Sequence, residues 1–290
     1  MSVMKRIGIF LITNLLVMTA ISIVVNLLGL RMDGLWPMLV ICALFGMGGS
    51  FISLLLSKSM AKSAYRVQII KPGMSHPQAA RLLAIIDHMA AERGIKTPEV
   101  GIYPSPDANA FATGFSQNNA MIAFSSGIVE RLDDDELAAV AGHEMTHITN
   151  GDMVTTTLLM GVANTFVMFF ARLLTILIDN ALRGDREGGG LGYFGYIIVV
   201  TVLQNVLMLL AYIPISAHSR HREFKADAGA AQLVNPVAMI DALKKISAAY
   251  VPDKRNTSYA LAKINDHRRV SLFATHPSIE DRIARLQAMI

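Results

Sequence analysis

The sequence predicts an α+β chain, mostly helical with a small β-sheet, fused to and interrupted by membrane-spanning helices. Three observations predict it. The 290 residues are 53% hydrophobic and only 17% charged, with a mean hydropathy of +0.44, outside the mixture of a soluble domain. The apolar residues gather in four long stretches instead of recurring at helix or strand periods. The two polar segments left over carry amphipathic helix patterns and short strand runs. Composition also excludes some functions. A formal charge of +4 without a basic run argues against nucleic acid as a partner, and a lone Cys42 excludes an intrachain disulfide or a cysteine metal cluster.

Residues Ile7 to Leu30 and Gly34 to Ser57 hold no charge, and each exceeds the roughly 20 residues that a spanning helix needs. Lys5 and Arg6 before the first would suit a signal peptide, but its apolar part is too long and a second span follows at once. Residues 1–57 therefore read as a hairpin, with Lys5 and Arg6 on one flank and Lys58, Lys62 and Arg66 on the other. The positive-inside rule places both flanks in the cytosol. A second apolar hairpin is expected over 153–213, with arms at 153–178 and 191–213 and a polar, glycine-containing loop from Asp179 to Gly190. It either crosses the bilayer or lies in a groove covered by protein, which hydropathy does not separate. Arg172, near the far end of its arm, is expected to reach the interface as an anchor.

The remaining segments, 58–152 and 214–290, lie on one side of the membrane and together form the expected cytosolic domain. Pro77 to Arg93 reads as an amphipathic helix with Leu82, Ile85, Ile86 and Met89 on one face. Val100 to Tyr103, Ala110 to Thr113 and Ala120 to Phe124 read as strands broken by Pro104, Pro106, Gly114 and the Asn118 and Asn119 turn. A helix is expected over Asp133 to Thr149, with an acidic cap, Glu136 three residues on, and a stop at Asn150 and Gly151. Further helices are expected near Ser216 to Leu233, Pro236 to Ala249 and Ser278 to Met289.

The chemistry concentrates in His143-Glu144-Met145-Thr146-His147. On a helix, residues four apart share a face, so both imidazoles can hold one zinc ion, whose ligand nitrogens must converge to about 2 Å. Glu144 lies beside that ion, placed to hold its water. The other reading is a pair of exposed helical histidines. Downstream, Ser219 to Asp227 places Glu223 and Asp227 one turn apart. Glu223 can complete a two-His, one-Glu site with a position left for water, and Asp227 can accept a hydrogen bond from a ligand histidine. Alternatively, both acids pair with Arg220 or Arg222 on an exposed helix.

With these motifs the chain resembles the HtpX family of membrane zinc endopeptidases and, more distantly, the prenyl-protein (CAAX) processing endopeptidases. The resemblance rests on the N-terminal spans, the HEMTH segment with an apolar hairpin directly after it, SRHREFKAD, NAFATG at Asn109 to Gly114, and Thr275-His276-Pro277 followed by Arg282. It implies a zincin-like (gluzincin) metallopeptidase domain with one zinc ion per chain and cleavage inside polypeptides. It also implies a bacterial inner-membrane location and removal of damaged membrane proteins under stress. Asn109 and Ala110 match the family's edge-strand segment, which receives an extended substrate; the plain alternative is a strand beside a glycine turn. His276 matches an oxyanion donor and Arg282 a group ordering Glu223 or Asp227, although Ser278 with Asp281 would equally make an ordinary helix cap. The other histidines, His76, His88, His218, His221 and His267, read as solvated or interfacial.

The mechanism these readings imply uses zinc held by His143, His147 and Glu223 to activate water, Glu144 to take its proton and pass it to the leaving amine, and His276 to steady the oxyanion. The bilayer and polypeptide substrates are the expected partners, and oligomeric state is left open. Two rivals come from other classes. A noncatalytic scaffold or chaperone that retains zinc would be expected to close all four metal positions, and a transporter would need intramembrane charges beyond Arg172.

Overall fold

The structure is a computed structural model that describes residues 34–71, 73, 77–184, 190–248 and 272–290. The first expected span, 7–30, lies outside the described residues. Three described helices are long and apolar enough to cross a membrane: α1 (Leu35–Tyr65), α5 (Asp152–Arg183) and α6 (Gly192–Leu233). The chain divides into two compact units, one of residues 1–52 and 158–215, the other of 53–157 and 216–290.

The second unit holds the sheet. Its strands are β1 (Gln68–Ile69), β2 (Glu99–Tyr103), β3 (Ala110–Ser116) and β4 (Asn119–Ser125), in the order β1-β2-β4-β3. β2 and β4 are parallel, whereas β1 pairs with β2 and β3 with β4 in antiparallel fashion, leaving β3 at an edge. Strand pleating sends alternate residues of β4 to opposite faces. Ala120, Ile122 and Phe124 enter the main core with Leu82, Ile86, Val140 and Met145, while Met121 and Ala123 join Tyr103, Tyr65 and Phe111 behind the sheet.

Around the sheet stand α2 (Pro77–Glu92), α3 (Ser126–Arg131), α4 (Asp134–Thr149), α7 (Pro236–Ala248) and α8 (Ile279–Gln287). α4 begins as its sequence predicts. Asp133 accepts from the Glu136 amide, and the Glu136 carboxylate accepts from the Asp133 amide, both at 3.0 Å, so two orphan donors of the first turn are satisfied. One side of α4 enters the main core through Leu137, Val140, Ala141 and Ile148. Its Ala139 packs with Ala230, Met239, Leu243, Ile279 and Leu286. The polar end of α6 approaches α4 closely because small residues meet there. A Cβ on Gly229 would come within 2.3 Å of Thr146 Oγ1, and one on Gly142 within 3.3 Å of the Ala230 Cα.

The structure adds to or departs from the sequence reading in four places. The arm at 191–213 and the helix from Ser216 are one 42-residue helix, α6, that runs through Pro214. Proline deprives only the Leu210 carbonyl of its partner, and the change from apolar to polar composition at Ser216 leaves the backbone ladder intact. β1 and α3 have no counterpart in the sequence reading. β1 is too short to show alternation, and α3 owes its start to Ser125, whose side chain accepts from the Ile128 amide. In the first unit, the Arg172 side chain does not extend outward as an anchor would. It is 5% exposed, and its Nη1 folds back 3.0 Å to the Met168 carbonyl one turn earlier. His218 is half-buried and its Nε2 lacks a hydrogen-bond partner, whereas His88 and His221 are exposed as expected; His76 and His267 lie outside the described residues.

Candidate active site

Helix α4 presents His143 and His147 from one face, their rings set edge to face. Each ring is held at its Nδ1 by a carboxylate. His143 Nδ1 is 2.9 Å from Asp227 Oδ1, and His147 Nδ1 is 2.7 Å from Asp152 Oδ2. Ring N–H groups that donate to carboxylates leave the two Nε2 lone pairs free, and these face each other at 3.2 Å. Glu223 on α6 closes the group, with Oε2 3.7 Å from His143 Nε2 and Oε1 3.4 Å from His147 Nε2.

Three electron-rich atoms turned toward one point repel each other unless a cation lies between them. Tetrahedral zinc ligands at about 2.0–2.1 Å from the metal stand about 3.3 Å apart, close to the spacing found here. A buried oxygen makes the same point. Glu223 Oε2 lies 2.9 Å from His276 Nδ1, but the approach is too oblique for a hydrogen bond, so this carboxylate oxygen has no donor. The local field also draws positive charge. Burial works to lower the His147 pKa, yet hydrogen bonds to Asp152 and Glu223, with the charges of Glu223 and Glu144, push it up to about 10. The residues present therefore fit a divalent ion.

Asp227 is fixed from a distant part of the chain. Arg282 of α8 grips it with Nε on Oδ2 at 2.7 Å and Nη2 on Oδ1 at 2.5 Å, and its Nη1 is 3.8 Å from Glu223 Oε2. Arg282 is 1% exposed, the largest fully buried side chain among the described residues. Burial works to raise the Asp227 pKa, but the guanidinium charge and hydrogen bonds, with those of His143, hold it down to about 2.

A cleft of about 430 Å³ opens beside these groups, lined by His143, Glu144, His147, Glu223, Thr275 and His276 and by Ala110 to Gly114 of β3. Glu144 is 4% exposed and sits between the two imidazoles in sequence. The structure thus brings together His143, Glu144, His147, Glu223, Asp227, His276, Arg282 and Ala110. The alternative pairing of Glu223 and Asp227 with Arg220 or Arg222 does not occur. Asn109 is placed differently: its side chain turns inward, its amide donating to the Tyr103 hydroxyl at 2.9 Å, and only Ala110 reaches the cleft. Sequence reasoning misses Asp152, and Arg222, weighed there as a partner for the two acids, instead donates its Nη1 to the Asp152 carbonyl at 3.0 Å. The available signal was an acid five residues after His147, just beyond a glycine turn.

Comparison with known proteins agrees with this geometry. The sequence model of peptidase family M48 matches residues 76–290. Protease HtpX of Aeromonas hydrophila subsp. hydrophila is 46% identical, over 98% of this chain and 100% of its own length. Protease HtpX of Stenotrophomonas maltophilia (strain K279a) is 45% identical over 98% of each, and a Protease HtpX homolog of Desulfotalea psychrophila 42% identical over 99% and 100%. Among solved structures, the crystal structure of S. mikatae Ste24p shares the fold with a TM-score of 0.61 at 19% identity, covering 97% of this chain and 67% of that one.

Proposed function

Because this chain belongs to peptidase family M48 and is a zinc metallopeptidase with helices of membrane-spanning length, we propose that it hydrolyses internal peptide bonds of misfolded or damaged membrane proteins. The observation that supports the site is the convergence of His143 Nε2, His147 Nε2 and the Glu223 carboxylate, all within 4.8 Å of one another. In this reading those three residues hold one zinc ion per chain. A zinc ion bound there would supply Lewis acidity, lowering the pKa of water toward about 7 and polarising the scissile carbonyl.

The chain's own groups do the rest. Asp227, locked by Arg282, and Asp152 keep the imidazoles in the tautomer that offers Nε2. Glu144 takes the proton of the attacking water and passes it to the leaving amine. His276, on the cleft wall, donates an N–H to the oxyanion. The substrate lies extended along β3, whose free edge begins at Ala110 and offers backbone groups for strand addition. His147 lies five residues before α5 begins and Glu223 ten after Ile213, so catalysis takes place near a membrane face. Segments of unfolding membrane proteins meet that requirement, which supports a role in quality control under stress.

The test is metal analysis of single variants. His143→Ala, His147→Ala and Glu223→Ala are each expected to lose zinc together with peptidase activity. Stoichiometric zinc in all three would overturn the ligand assignment.

Domain organisation follows the same reading: a transmembrane hairpin over 1–57, a cytosolic peptidase domain of 58–152 and 214–290, and an inserted membrane hairpin over 153–213, in a bacterial inner membrane. The basic residues Lys58, Lys62 and Arg66 support the orientation. Cysteines placed at the exposed positions Lys96 and Ala181 test it, since the native Cys42 is buried. In intact cells a membrane-impermeant maleimide is expected to label Ala181→Cys and spare Lys96→Cys. Labelling at Lys96→Cys would reverse the topology.

A further inference from the structure

The two imidazoles of the site are held by different means. On the His143 side, Asp227 shares its charge with the two-pronged Arg282. On the His147 side, Asp152 accepts from Nδ1 at 2.7 Å, and among the described residues no lysine or arginine pairs with its carboxylate. Asp152 is 7% exposed, so its charge is poorly solvated and acts at short range on one ring.

Its position is built with care. Gly151 has a φ of +66°, which lets the chain reverse between the end of α4 at Thr149 and the start of α5 at Asp152. That turn returns the first side chain of α5 over His147. The backbone of Asp152 is held from a separate helix, since Arg222 Nη1 donates to its carbonyl at 3.0 Å while Nη2 reaches Ser219 Oγ at 3.4 Å. The Thr156 hydroxyl donates to the same carbonyl at 2.6 Å.

We propose that Asp152 is a positioning residue for the metal site: its carboxylate fixes the ring plane and tautomer of His147 and, unshared with any arginine among the described residues, raises the electron-donating power of Nε2. The proposal rests on the reading of His147 as a ligand. Arg222 and Gly151 act through it, by setting where the carboxylate stands.

The test compares Asp152→Ala and Asp152→Asn with the wild type in the full-length, detergent-solubilised protein. Zinc affinity is read by competition with a chromophoric chelator, and the ligand field by the visible absorption of the cobalt-substituted protein. Asp152→Ala is expected to weaken zinc binding about 10- to 100-fold and to shift the cobalt bands. Asp152→Asn keeps an acceptor of the same shape and loses only the charge, so it is expected to fall between alanine and wild type. If the alanine variant does not fold, the asparagine variant decides alone, with weakened affinity upholding the role. Wild-type affinity and unshifted cobalt bands in the variants that fold overturn it. His147→Ala in the same series separates this result from a failure of the functional reading. A wild type without zinc, or a His147→Ala protein that binds it normally, sinks the ligand assignment. Zinc lost by His147→Ala but held unchanged by the Asp152 variants sinks this inference only.

Discussion

Replacing Glu144 by Gln is expected to leave zinc bound while peptide hydrolysis falls by about 100- to 10,000-fold, the range supplied by a positioned general base. The side chains are nearly the same size, so the packing around this 4% exposed position is kept. His143 and His147 project from the same helix on either side of it in sequence and retain their carboxylate partners. What disappears is a group able to take a proton from water and return it to an amine. Turnover of a fluorogenic peptide, normalised to zinc content by metal analysis, reads the effect directly. A metal-loaded Glu144→Gln protein cleaving at the wild-type rate would remove the residue from the mechanism.

The second large effect is on stability. Arg282→Met is expected to destabilise the fold by about 3–5 kcal/mol, because it strips from a buried carboxylate the only guanidinium that pairs with it among the described residues, without removing the carboxylate. Asp227 is 3% exposed and Glu223 4% exposed, and Arg282 lies against both. Arg282→Lys restores the charge but not the fork that binds both oxygens of Asp227, so only partial recovery is expected. Thermal unfolding in detergent measures the change, and a loss on the order of 10 °C in the methionine variant corresponds to this energy for a unit of this size. A methionine variant that melts with the wild type would show that the pair is not a structural keystone.

These effects bear on how much was legible beforehand. Local signals were read well. The Asp133 and Glu136 box, the two imidazoles one turn apart and the runs that became β2, β3 and β4 each depend on neighbours within a few residues, where spacing and geometry are equivalent. Glu223 and Asp227 were legible for the same reason, one turn apart on a helix. Pairings between distant elements were not written locally. That Asp227 serves His143 and Asp152 serves His147 is decided by how α6 and the turn into α5 pack on α4. Spacing alone offered Arg220 and Arg222 as equally good partners for the acids. Asn109 shows the limit of motif matching. The resemblance assigned its backbone to the substrate-receiving edge, but Asn109 stands just before β3, its backbone amide and carbonyl pair with Ser125, and its side-chain amide donates to Tyr103. Arg172 and the passage of α6 through Pro214 failed for another reason. Polarity marks where solvent changes, not where a helix ends or where a guanidinium finds a carbonyl.

The grip of Arg282 on Asp227 beside His143 also sets a timetable. Arg282 lies within 3.4 Å of His143 Nδ1 in space and 139 residues away along the chain. At typical synthesis rates of about 5–20 residues per second, the helix bearing the zinc motif leaves the ribosome on the order of ten seconds before the arginine that steadies it. During that interval the nascent chain carries His143, Glu144 and His147 without the finished socket. Late arrival of residues 276 to 282 makes the ordering of this site one of the last events of synthesis, after the three described apolar helices have been made.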